Sequence, residues 1–215
     1  NSERGIPGAI VNNVWRRGER VWDTNSFFQG SFVKEVNDQF KTQVNAKYAF
    51  YRTHYVNNDD KLIEVDNLYK QREVYVSTAN MYTIFPFWDV SMSYDFQWNE
   101  MKADMYGFVF PTRFTNLLSI ATALRLGKVK LQGSGLATFV NDRVKEGPAP
   151  KARQILTPAV FLSYKPFDKH DFSLRAFYKK TFRMPTFNDL YYADMGNSKL
   201  DPEYVTQYNL GTVYQ

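Results

Sequence analysis

Trp88-Asp-Val-Ser-Met-Ser-Tyr-Asp-Phe-Gln-Trp98 is the stretch whose reading decides the fold. Trp88, Val90, Met92, Tyr94, Phe96 and Trp98 fall on one parity, and Asp89, Ser91, Ser93, Asp95 and Gln97 on the other. Successive side chains of a strand point to opposite faces, so this period of two describes a strand with one apolar and one polar face. At about 3.3 Å per residue and a tilt near 45°, residues 88–98 rise roughly 26 Å, the height of the apolar band of an outer-membrane barrel. Trp at both ends stands where such a barrel carries its aromatic girdles. Met92, with Val90 and Tyr94, is then expected to face lipid, and Ser91 and Ser93 a polar lumen.

Working outward, Val44, Ala46, Tyr48 and Phe50 alternate with Gln43, Asn45, Lys47 and Ala49; Phe172, Leu174, Ala176 and Tyr178 alternate with Ser173, Arg175 and Lys179. Tyr204, Tyr208, Leu210 and Tyr214 oppose Glu203, Gln207 and Asn209. The pattern predicts nine strands, at 26–36, 41–56, 69–84, 87–102, 114–126, 129–141, 155–165, 171–181 and 203–215, with 114–126 and 129–141 alternating poorly. Links are short near 37–40, 85–86, 127–128 and 166–170, and long and polar at 57–68, 103–113, 142–154 and 182–202. Turns short at one end and long at the other are the mark of a bacterial outer-membrane barrel, short at the periplasm and long outside. The fold class expected is therefore all-β: an antiparallel transmembrane β-barrel of meander topology, its strands paired in sequence order.

Composition agrees. The 215 residues include 15 Tyr, 18 Phe and 4 Trp, an enrichment suited to surfaces half wet and half apolar. A mean hydropathy of −0.48, with no long apolar run, excludes a helical membrane protein but not a barrel, in which only alternate residues meet lipid. The absence of Cys removes disulfides, Cys-based zinc sites and thiol nucleophiles. A formal charge of +5 spread along the chain, densest at Arg16, Arg17 and Arg20, does not gather on one element as nucleic-acid binding requires.

Lys180-Thr-Phe-Arg-Met-Pro-Thr-Phe-Asn-Asp-Leu-Tyr-Tyr192, with Gly196-Asn197, Leu200-Asp-Pro-Glu203 and Tyr208-Asn-Leu-Gly211, closely resembles the barrel signature of TonB-dependent receptors. Glu3-Arg-Gly-Ile-Pro-Gly-Ala9, continuing through Arg17-Gly-Glu-Arg20 to Trp22-Asp23, is similar to mid-barrel sequence of Bacteroidetes-type vitamin B12 and siderophore receptors. The resemblance implies a barrel of about 22 strands plugged by an N-terminal domain. Residues 1–215 are expected to be a fragment of that one barrel domain, without plug, TonB box or closing strand. It also implies a Gram-negative outer-membrane receptor that takes up a scarce nutrient, a corrinoid such as vitamin B12 or an iron-siderophore. The partners implied are outer-membrane lipid, the small-molecule ligand, the TonB complex acting through the plug region, and a surface lipoprotein. A passive porin or a surface adhesion barrel shares the alternation and loop asymmetry, and is the alternative.

Within the signature, Pro185 ends the strand before it, Gly196-Asn197 suits a turn, and Pro202 sets the entry to the next strand. Tyr191 and Tyr192 beside Asp189 and Asp194, with Asn197, make a candidate ligand-binding patch in an extracellular loop. A structural loop folded against the barrel mouth, with the Tyr pair in a girdle, accounts for the same residues. Asp59, Asp60, Glu64 and Asp66 offer oxygens to Ca²⁺ but lack the ordered spacing of a calcium loop, so a solvated loop is the plainer reading. His54 and His170 are too far apart in sequence to suggest a metal site, no metal or cofactor is expected, and no GxSxG or HExxH motif points to an enzyme. Gly133-Ser-Gly135 lies within a strand and suggests close packing or bending.

Overall fold

The structure, a computed structural model, describes residues 2–5, 10–11, 14–15, 19–57, 65–147, 149–168, 170–191, 197 and 199–214. Its strands are β1 (Ser2–Gly5), β2 (Ile10–Val11), β3 (Val14–Trp15), β4 (Glu19–Glu35), β5 (Phe40–Asn57), β6 (Val65–Phe85), β7 (Trp88–Ala103), β8 (Thr112–Leu126), β9 (Val129–Arg143), β10 (Arg153–Tyr164), β11 (Phe172–Arg183) and β12 (Glu203–Tyr214). One helix, α1 (Phe187–Tyr191), lies between the last two. Ten strands form one sheet in the order β1-β4-β5-β6-β7-β8-β9-β10-β11-β12, while β2 and β3 pair separately. Every ladder in the large sheet is antiparallel, so the meander predicted from the alternation holds from β4 to β12.

Three expectations need correction. The sheet has a tenth strand, β1, laid beside β4, against the nine predicted. β4 starts at Glu19 rather than 26, because Asp23, Thr24 and Asn25 hide the alternation; pairing to β5 from Glu19↔Asn57 onward extends it. The close packing expected at Gly133 and Gly135 is also missing: a Cβ at Gly133 would meet Thr122 Cγ2 at an ordinary 3.8 Å, and one at Gly135 would meet nothing within 4 Å.

Register settles the facing, including that of β8 and β9, where alternation was poor. Met92 stands opposite Asn80 and Ile120, Tyr94 opposite Thr78 and Leu118, and Trp98 opposite Val74 and Phe114. This face exposes Met92 (50%), Ile120 (55%) and Leu156 (66%). The other face carries Gln43, Asn45, Lys47, Ser77, Ser93, Asp95, Gln97 and Arg113. All the buried strand residues, among them Ala49, Ser77, Asn99, Thr138, Thr157 and Ser173, lie on this polar face, as the inside of a curling sheet requires. Ion pairs cross the strands there: Lys47–Glu73 at 2.9 Å and Arg125–Asp89 at 2.7 Å.

Turns sort by end. Val36–Gln39, Pro86–Phe87, Gly127–Lys128 and Lys165–Asp171 close one end, and the longer links 104–111, 144–152 and 184–202 lie at the other. In the first turn Asn37 Oδ1 accepts the Gln39 and Phe40 N–H groups, at 2.9 and 2.7 Å. Gly127 sits at φ +55°, the first central position of a two-residue hairpin of the II′ kind, where a side chain is strained. At the same end Phe85 stacks on Phe87, with ring centroids 5.4 Å apart, and on Trp88, at 6.3 Å.

Gly127→Ala is expected to lower stability by about 1–2 kcal/mol through the left-handed backbone. Gly135→Ala, in an extended strand with open space for the methyl group, should be neutral or slightly stabilising. Urea midpoints of the two variants, measured side by side in the intact protein, check the contrast; equal losses would mean that the turn is not of this type.

Candidate functional site

The long-loop end of the polar face is roofed by the segment after β11. Pro185 cannot continue the ladder, and Thr186-Phe-Asn-Asp189 begins a helix with a reciprocal cap. The Asp189 backbone N–H donates to Thr186 Oγ1 at 3.2 Å, and the Asp189 carboxylate accepts the Thr186 N–H at 2.8 Å. These contacts, with Arg183 nearby, hold the Asp189 carboxyl below its usual range. Asn197 turns the chain back: its N–H donates to the Asp189 carbonyl at 2.9 Å, and its Oδ1 accepts the Lys199 N–H at 3.0 Å.

Five residues of helix are too few to stand alone. Packing supplies the rest. Phe187 is buried with Tyr69 of β6, Met101 and Ala103 of β7, and Phe108 of the β7–β8 loop, and Tyr191 packs against this cluster. That loop is braced at Phe110, which holds a positive φ of 48° while its ring meets Phe108 edge-on at 5.4 Å and lies 5.3 Å from Lys145 Nζ.

Arg113 joins the pieces. Its Nε and Nη2 donate to the two carboxylate oxygens of Asp142, each at 2.6 Å, and Nη1 donates to the Pro185 carbonyl at 2.6 Å. The guanidinium carbon lies 5.2 Å from the centre of the Phe187 ring. Arg113 and Asp142 are register partners on β8 and β9, and both are buried. The pair therefore ties two strands and the roof segment together through a bidentate contact. Tyr191 lies close enough to feel both charges; burial first, then Asp142, pushes its hydroxyl pKa up, so it stays neutral. Its OH is buried without a hydrogen-bond partner among the described residues, as are Asn99 Oδ1 and Thr138 Oγ1.

On one side of the roof lies a cleft of ≈ 420 Å³ bounded by Gln71, Glu73, Gln97, Asn99, Thr115 and Phe187. On the other is a cleft of ≈ 320 Å³ against Arg153, Pro185, Leu190 and Pro202; Arg113 and Met184 border both. The first cleft sets the amides of Gln71, Gln97 and Asn99 among Leu117, Val140, Phe182, Met184 and Phe187, an apolar wall with a few polar groups of the kind that holds small solutes.

Of the residues expected to bind ligand, Asp189 serves the helix cap, Tyr191 sits half-buried against the aromatic cluster, and Asn197 forms the return turn. Tyr192 and Asp194 lie outside the described residues, as do Asp59, Asp60 and Glu64. Asp66 meets His54 Nε2 at 2.6 Å. No group of three metal-ligating side chains occurs among the described residues. Sequence reasoning missed Arg113 and Asp142, whose 29-residue separation becomes contact only through register.

The family model described as TonB dependent receptor-like, beta-barrel, matches residues 4–215. The chain belongs to that family. Among curated proteins, none matches it. Solved structures show the same fold: a copper transporter, OprC (TM-score 0.76, 15% identity, 94% of this chain and 38% of that one), and the unliganded ferric citrate transporter FecA (0.64, 13%, 92% and 33%). The FrpB iron transporter of Neisseria meningitidis, F5-1 variant, aligns with TM-score 0.69 and 13% identity over 96% of this chain and 36% of that one. The chain thus spans well under half the length of these receptor structures.

Arg113→Met leaves Asp142 buried and unpaired and is expected to destabilise by about 3–5 kcal/mol; adding Asp142→Leu should recover much of that loss. Chemical denaturation of the intact protein reads both, and a double variant no better than the single would deny the pairing. The cap has a pH signature. Because the Asp189 pKa is depressed, its contribution is fully present above the ordinary carboxylate range and is lost as pH falls through the depressed value. Amide exchange at Thr186 should quicken in that acid window, and Asp189→Asn should abolish the dependence.

Proposed function

We propose that this chain is a wall of an outer-membrane receptor that takes up a scarce nutrient with energy delivered through TonB, and that it has no enzymatic role. The observation that carries the reading is the segregation of faces: a mainly apolar face on one side of the meander, and on the other a mainly polar face that a loop roofs at its long-loop end. In a family of transport receptors, this is a lipid wall and a solute path. The short turns then lie at the periplasm and the roof lies outside.

A corrinoid is the first substrate to try, on the sequence resemblance, ahead of an iron-siderophore. The roof loop carrying Asp189, Tyr191, Tyr192, Asp194 and Asn197 is the proposed contact region. Asp189 and Tyr191 there act as positioning residues, since the cap and the aromatic cluster already occupy them. Energy coupling and any surface lipoprotein engage parts of the receptor beyond this wall.

Two measurements test the proposal. Uptake of labelled cobalamin and of ferric siderophore is compared in cells with and without TonB, with the receptor present or deleted. Accumulation that needs the receptor but not TonB would make the protein a passive porin. For the membrane wall, Met92→Arg puts a charge on the apolar face and should cost about 2–4 kcal/mol in bilayers, whereas Ser93→Arg, on the polar face, should cost far less. A larger loss at 93, or equal small losses, would reverse or remove the lipid face.

A further inference from the structure

The apolar face ends abruptly toward the long loops. Its last mainly aromatic row runs Phe28, Tyr48, Val74, Trp98, Phe114 across five neighbouring strands. The next row up is Ser26, Phe50, Arg72, Glu100, and the one above it is Thr24, Arg52, Lys70, Lys102. Successive rows are about 6–7 Å apart along the strands. Within two rows of the aromatic belt, the same outward face therefore carries Arg52, Lys70, Arg72 and Lys102 side by side, all exposed.

This arrangement opposes folding. Like charges directly opposite each other on an antiparallel pair are destabilising, and here Lys70 stands between Arg52 and Lys102 in one row. Acids on this outward face relieve only Lys102 of the four. Glu100 meets Lys102 at 3.3 Å, Glu3 meets Arg20 at 2.7 Å, and Asp66 meets His54. Among the described residues, Arg52, Lys70 and Arg72 have no ion pair. Four exposed cations clustered on two rows next to an aromatic belt fit an anionic layer lying there. Lys and Arg stems can lie along the apolar surface while their heads reach it, and Arg matches phosphate in a two-pronged contact.

Resting on the membrane reading above, we propose that Arg52, Lys70 and Arg72, flanked by Lys102, form a binding site for the phosphate-bearing headgroup of an outer-leaflet lipid. The site lies outside the solute path and is independent of the roof loop. The lipid supplies the missing counter-charge, so the like-charged row is stabilising only in an anionic bilayer, and the attraction weakens with salt.

The intact receptor is placed in nanodiscs of neutral phosphatidylcholine and titrated with bisphosphorylated lipid A, with lipid A stripped of both phosphates, and with inorganic pyrophosphate. Bound lipid is counted by native mass spectrometry and melting is followed. The wild type should bind the bisphosphorylated lipid in preference to the stripped one and melt higher with it. The variant Arg52→Gln/Lys70→Gln/Arg72→Gln should lose roughly a hundredfold in affinity, at about fivefold per cation. In neutral discs without lipid A it should be at least as stable as the wild type, which separates lost binding from lost folding. Lys128→Gln/Lys165→Gln, at the short-turn end, should change nothing. Equal binding of stripped lipid, unchanged affinity in the triple variant, or full protection by pyrophosphate alone would overturn the proposal. Failure to enter neutral discs at all, seen before lipid A is added, would sink the membrane reading and the site with it.

Discussion

Hydrogen-bonding strands in an antiparallel ladder place partner residues on the same face, so a slip of one residue anywhere would turn every later side chain over. From β4 to β12 no such slip occurs within the body of the sheet; the one irregularity, between Thr83 and Phe85, falls at a short turn. Everything else rests on this unbroken parity. It keeps Met92, Ile120 and Leu156 on one side, and it carries Arg113 and Asp142 into register on the other. Long strands serve the same end, because a backbone group left unpaired in hydrocarbon is far more costly than one left unpaired in water.

How much of this the sequence shows depends on contrast between neighbours. Residues 88–98 are legible because each apolar side chain is flanked by a polar one. Between 114 and 126, Leu117, Ala121 and Ala123 lie on the polar face beside small or aliphatic neighbours, so the period fades although the strand is as regular as the others. Ser2–Gly5 is too short and too polar to announce a strand, and only pairing with Arg20–Asp23 defines it. The roof is a mixed case. Pro185-Thr-Phe-Asn-Asp189 is a helix start written plainly in sequence, yet a five-residue helix exists only because Tyr69, Met101 and Phe108 come together beneath it. No local pattern reports that meeting.

The roles of the roof residues are hard to read in sequence for a related reason. Tyr, Asp and Asn side chains in a loop look alike whether they bind a solute or fold the loop upon itself. Asp189 and Asn197 complete a cap and a turn, and Tyr191 packs against a cluster, structural roles that the sequence alone does not separate from ligand contact. The roof is held firmly by Arg113, while Asn99 Oδ1, Thr138 Oγ1 and Tyr191 OH are buried there without a partner among the described residues, so a strong tether sits beside unsatisfied polar atoms.

The long reach of that tether has a consequence in time. Neighbouring strands are joined by hairpins, so the sheet can assemble from local contacts, each strand adding to the last. Arg113 and Pro185, by contrast, stand 72 residues apart and meet only after β8 to β11 are in place. The tether thus belongs to the last stage of assembly and is largely absent from the folding transition state. Weakening that contact alone would leave the folding rate nearly unchanged and speed unfolding, so the Arg113–Pro185 tether, unlike the Arg113–Asp142 pair of neighbouring strands, acts on how long the folded wall lasts rather than on how soon it forms.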